Sequence, residues 1–163
     1  MASVVLSRLA AIVLAAMLLA SCGEGPVAPP ESLDVVALAL VDSLIVDEAR
    51  MVDRYHRIVR RFGEVAPFDA LAGEAGSRVA VLHTVGATRP GWVAPDPFAG
   101  LIGVEVYRDI EGACSVAGAF ARSMVARYDR LLLRSLPSVT AAALRGNRED
   151  VVSRDLARTA SCT

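Results

Sequence analysis

From Ser32 onward the apolar residues recur with the 3.6-residue period of an α-helix, and no stretch alternates with the period of a half-buried strand. A chain patterned this way has to bury helical stripes against one another, so its breaks decide its architecture. The first helix is predicted over Ser32 to Phe62, closed by Gly63 in the C-cap position. Its inner stripe reads Val41, Leu44, Glu48, Met51, Tyr55, Ile58 and Phe62, with Arg50, Arg54, Arg57 and Arg61 on the other side. Glu48 stands where a core residue belongs, and an unpaired buried carboxylate is costly. A second helix is expected from Pro67, a favoured first-turn residue, to Gly86. Between Ala87 and Arg108 lie Pro90, Gly91, Pro95, Pro97, Gly100 and Gly103, the composition of a long irregular crossover. Asp109 is the expected N-cap of a third helix that reaches Leu136 and stops at Pro137. Ser138 is expected to cap a fourth helix ending near Ser161, with Gly146-Asn147 as the place where it could kink or break. The fold class is therefore all-α: two helical hairpins joined by one crossover between helices 2 and 3.

The segment ahead of this domain has a different character. A single charge, Arg8, precedes an uncharged apolar run from Leu9 to Ala20, shorter than the ~20 residues that span a bilayer. It reads as the h-region of a secretory signal. The run ends in Leu19-Ala20-Ser21-Cys22, which resembles the lipobox of bacterial lipoproteins. That resemblance implies a signal peptide over residues 1–21 and acylation of Cys22 as the first mature residue. It places the protein in the bacterial cell envelope, on the outer face of the cytoplasmic membrane or on the outer membrane. Residues 22–31, rich in Gly and Pro, form a tether that cannot pack a core. Residues 32–163 form the domain, partnered with the membrane only through the lipid, since no second apolar span follows.

Charge and motifs exclude several functions. Removing the signal leaves sixteen arginines, no lysine and eighteen acidic residues, without the basic excess of a nucleic-acid-binding surface. No Cys, His or acidic pair has zinc-finger or zincin spacing, and no G-x-S-x-G elbow is present. His56 reads as a solvated residue among arginines.

An internal repeat adds to the bundle reading. Shifted by 73 residues, Met51, Val52, Arg54, Tyr55 and Arg57 coincide with Met124, Val125, Arg127, Tyr128 and Arg130. Three blocks then follow in order: Asp47-Glu48, Tyr55, Phe62-Gly63, Val65 and Pro67-Phe68; Ala113-Cys114 and Tyr128-Asp129; Leu156 and Cys162. On these blocks the chain, from Leu38 to Cys162, resembles a ferritin-like, rubrerythrin-related family of bacterial exported proteins. The resemblance implies a ferritin-like four-helix bundle. Metal-binding members of that class carry a Glu on helices 1 and 3 and a Glu-x-x-His pair on helices 2 and 4. Here Glu48 matches the first position and Ala121 the third-helix position. Ala75 and Arg78 stand for the second-helix pair, with Glu74 one residue off, and Val152 and Asp155 for the fourth.

The resemblance therefore implies a degenerate site without a metal cofactor. The expected function is a lipid-anchored binding or structural module, non-enzymatic, for a protein or small-molecule partner. The alternative is an oxidoreductase or a storage protein for iron or manganese, using Glu48, Glu74, Asp155 and His83. The family register also brings Glu48, Arg78 and Asp155 to one interior level, where the guanidinium can replace iron as the neutralising cation. Tyr55 and Tyr128 flank that level and either hydrogen-bond the acids or simply pack. Finally, with Cys22 taken by lipid, Cys114 and Cys162 are left in an oxidising compartment. They lie 23 residues before and 25 after Pro137, level in an antiparallel hairpin, and are expected to form a disulfide.

Overall fold

A computed structural model describes residues 32–99 and 107–162. The leader 1–21, Cys22, the tether through residue 31 and positions 100–106 of the crossover lie outside the described residues. Helix α1 spans Val35–Phe62. It begins three residues later than the apolar period suggests because Asp34 is its N-cap: Oδ1 accepts the Ala37 N–H at 2.7 Å. It ends at Gly63, whose φ of 86° a side chain would oppose. Helix α2 spans Phe68–Gly86 behind Pro67, which sits in the cap position.

Helix α3, Ile110–Leu132, starts on Asp109, whose Oδ1 accepts the Gly112 N–H at 2.8 Å. It stops short of the expected Leu136. The Arg134 N–H turns back to the Leu131 carbonyl, tightening the last turn, and the residue before Pro137 is disfavoured in helical conformation. Helix α4 is Ser138–Asp150. Pro137, not Ser138, occupies its cap position, and no side chain caps it. Gly146 and Asn147 do not break it. The irregularity comes later, as a π-helical stretch over Val151–Leu156 that leads into the short helix α5, Ala157–Ala160.

Side-chain pairs set the directions of the helices. Descending along α3, Arg127 pairs with Asp47 and Arg134 with Asp34, so α1 and α3 are antiparallel. Arg148 on α4 pairs with Asp129 near the end of α3, while Cys114 near its start is joined to Cys162 with Cα atoms 5.8 Å apart, so α3 and the fourth helix are antiparallel too. Tyr55 on α1 stacks obliquely on Phe68 at the start of α2, closing the first hairpin. Helices α2 and α3 both run opposite to α1, so the connection between them has to return along the bundle.

The 73-residue repeat reappears as a pair of related contacts. Arg127 faces Asp47, and Arg54 lies over the Phe120 ring at 4.2 Å from its centroid. The two arginines are one repeat apart, and so are their partners. One arginine position thus serves an ion pair in one half and a cation–π contact in the other. Met51 and Met124, equivalent residues, are both fully buried. Among the described residues there is no strand, and no helix is long and apolar enough to cross a membrane.

Candidate functional site

The stripe of α1 delivers Glu48 to the bundle interior one turn below Met51, and there it is fully buried. Arg78 comes from α2, where the residues on its own face are Leu71, Ala75 and Leu82, all buried as well. Asp155 comes from the π-helical stretch of the fourth helix. All three charged side chains are at most 1 % exposed, and they meet. Arg78 Nε donates to Glu48 Oε1 at 2.8 Å. Its Nη1 and Nη2 donate to Asp155 Oδ1 at 3.1 Å and Oδ2 at 2.8 Å, a two-pronged pairing that suits a planar fork.

The two repeat-related tyrosines take different acids. Tyr128 Oη donates to Glu48 Oε1 at 2.9 Å, and Tyr55 Oη donates to Asp155 Oδ2 at 3.3 Å. Asn147 completes the set: its Nδ2 faces the Arg78 carbonyl at 3.2 Å and the Tyr128 hydroxyl at 3.3 Å. Every helix of the bundle thus contributes to one polar cluster inside an apolar core. The register of the fourth helix departs from expectation here. Val151, not Val152, lies fully buried above Asp155, while Val152 is only partly covered. A π-helical turn holds more residues than an α-helical one, so positions four apart, Val151 and Asp155, share the inner face. Thr159 Oγ1 donates to the Asp155 carbonyl at 2.7 Å, supplying a partner on the exit side of that turn.

Asn147, which by sequence marks only a weak point of the helix, belongs to the cluster. The signal was its position eight residues before Asp155 and four before Val151, a polar residue on the inward stripe. The structure also keeps apart residues that sequence grouped as alternative metal ligands. Glu74 is half-buried and turns its Oε1 to Arg158 at 2.9 Å and Arg154 at 3.6 Å. His83 stands edge-on to Trp92, with ring centroids 5.7 Å apart. Neither joins Glu48 and Asp155, and among the described residues no three His, Cys, Asp or Glu side chains gather in ligand geometry. Ala75 and Ala121 are fully buried and offer no donor atoms. His56 is exposed.

The electrostatics follow from one cation serving two acids. Burial pushes the carboxyls of both Glu48 and Asp155 above their ordinary range, against the pull of Arg78. Burial alone would lower Arg78, but Glu48 and Asp155 outweigh it and hold the guanidinium charged. Both tyrosines are pushed up, first by burial and then by the carboxylate each one serves, so they remain donors. The two acids are not equivalent. Both oxygens of Asp155 accept hydrogen bonds, whereas Glu48 Oε2 is buried with no hydrogen-bond partner among the described residues.

These residues do not fit a di-iron centre. Such a centre is neutralised by carboxylates that bridge two cations, and here a guanidinium already faces both acids from within hydrogen-bonding distance. The cluster holds no nucleophile and opens to no solvent. It can lock the register of the helices. Comparison with protein-family models, with curated proteins and with solved structures yields no match for this chain.

Proposed function

We propose that the chain is a lipid-anchored protein of the bacterial cell envelope whose bundle descends from a ferritin-like metal protein and works without metal, as a binding or structural module. The observation that carries this reading is the position of Arg78. Its guanidinium pairs with the one carboxylate that matches the family's ligand pattern, Glu48, and with the acid that stands in for another, Asp155. A cation supplied by the chain takes over the neutralising role of iron, and it does so by offsetting the charge of two carboxylates from one guanidinium. Acylation of Cys22 belongs to the same reading and rests on the Leu-Ala-Ser-Cys run behind the apolar leader.

Metal analysis tests the proposal. Protein purified without a tag, from cells grown with added iron, manganese or zinc, is expected to carry no stoichiometric metal. One bound ion per chain, retained through dialysis, would overturn it in favour of an oxidoreductase or metal-storage role.

A further inference from the structure

One end of the bundle is apolar where its opposite end is charged. Among the described residues, and apart from Val93 of the crossover at 81 %, the most exposed large hydrophobics are Leu133 at 87 %, Val139 at 80 %, Val35 at 67 % and Val36 at 53 %. They come from three separate segments: the first turn of α1, the residue after α3, and the first turn of α4. The ion pair between Asp34 and Arg134, 3.2 Å apart, holds the first two segments together, and the short α3–α4 turn brings the third beside them. A shallow apolar groove of about 200 Å³ continues from Val139, bounded by Val81 and Val85 near the end of α2 and by Ala143. The far end exposes Arg60, Arg61, Glu64, Asp69, Asp109 and Glu111 instead.

We infer that this apolar end rests on the lipid bilayer, so that the domain is held upright on the membrane and does not swing on its tether. The inference rests on the proposed acylation of Cys22. The chain enters the bundle at this end, and Cys22 stands 13 residues before Val35. Even fully extended, those residues reach only about 45 Å, so the acyl chains keep this end of the bundle within that distance of the membrane plane. A flexible tether alone would leave the domain free to tumble. Four aliphatic side chains already exposed at the tethered end gain by entering the interfacial region, where apolar burial adds to the anchoring of the acyl chains. Asp34 and Arg134 neutralise each other within the face, so that pair carries no net charge out of water when the face docks.

The test uses the full chain isolated from membranes and placed in phosphatidylcholine–phosphatidylglycerol vesicles with brominated acyl chains, which quench nearby indoles. Tryptophan is introduced by Leu133→Trp or, toward the far end, by Val116→Trp, and emission is read against the wild-type Trp92 background. Both positions are exposed, and circular dichroism checks that each variant keeps its helix content. An acylated chain in which the Leu133→Trp emission is mostly lost and the Val116→Trp emission is spared supports the inference. An acylated chain in which the two reporters are quenched alike, or neither is, overturns the resting face and leaves the anchor standing. If that chain also sediments as a dimer in detergent, and Leu133→Glu returns it to a monomer, the face belongs to a second copy. A chain with no acyl group on Cys22 overturns the anchor and the face together.

Discussion

Replacing Arg78 by alanine removes the guanidinium from between two buried acids, and among the described residues no other cation pairs with either of them. Three charge-assisted hydrogen bonds go, at 2.8, 3.1 and 2.8 Å, and Glu48 and Asp155 face each other without a counter-charge. Breaking a buried pair by deleting one partner costs ~3–5 kcal/mol, because the charge left behind cannot return to water. Arg78 is also the largest fully buried side chain, so its truncation leaves a void that adds to the loss. For a domain of this size a loss of ~4 kcal/mol lowers the melting temperature by roughly 15 °C. The measurement is urea unfolding followed by far-ultraviolet circular dichroism, with the wild type, Arg78→Ala and the triple variant Arg78→Ala, Glu48→Gln, Asp155→Asn. The triple variant is expected to recover part of the loss, since neutral amides in the same place carry no uncompensated charge. The gap between Arg78→Ala and the wild type is also expected to narrow as the pH falls. Without the cation both carboxyls rise further above their unfolded values, and an acid raised in the folded state contributes stability at low pH that is lost as the pH rises. A loss below ~1 kcal/mol for Arg78→Ala, the scale of an exposed ion pair, would refute this reasoning. So would a triple variant no more stable than the single one.

Three further outcomes are expected. Glu48 is raised by burial, so its contribution to stability is complete below its unfolded value, near 4.5, and declines as the pH climbs through the higher folded value. Glu48→Gln is therefore expected to flatten the fall of the urea midpoint from acid to neutral pH, and an unchanged slope would assign that fall to other groups. The Cys114–Cys162 bridge joins residues 48 apart, for which loop-closure entropy gives ~4 kcal/mol. Replacing both cysteines by serine is expected to lower stability by about that amount, and thiol counting in denaturant without reductant is expected to find neither of the two free. Mass spectrometry of the native N-terminus is expected to show an acylated Cys22, and an unmodified terminus elsewhere in the chain would remove the lipoprotein reading.

The primary structure by itself determined which segments are helical and which single residue does not belong in its stripe. Apolar residues at helical spacing commit a segment to one buried face wherever it packs, and Gly63, Asp109 and Pro137 act on the backbone locally. Their effects are therefore legible without the fold. Glu48 stood out for the same reason: a carboxylate on a core stripe has to be answered by a cation, by hydrogen-bond donors or by a proton. Only the tertiary structure decided which atoms answer it. That the fork of Arg78 divides between Glu48 and Asp155, and that Tyr128 serves one acid while its repeat mate Tyr55 serves the other, depends on how four helices rotate against one another. Helical period leaves that rotation undetermined to within a residue. The π-helical turn at Val151–Leu156 shows the cost of that uncertainty. One extra residue in a turn exchanges Val152 for Val151 at the inner face, where Asp155 meets Arg78 and Tyr55, and helical period alone does not record it. The helix ends show the same division. Pro137 announces a stop, but the structure shows α3 ending at Leu132, where the Arg134 N–H turns back to the Leu131 carbonyl and leaves Leu133 exposed beside the first turn of α1.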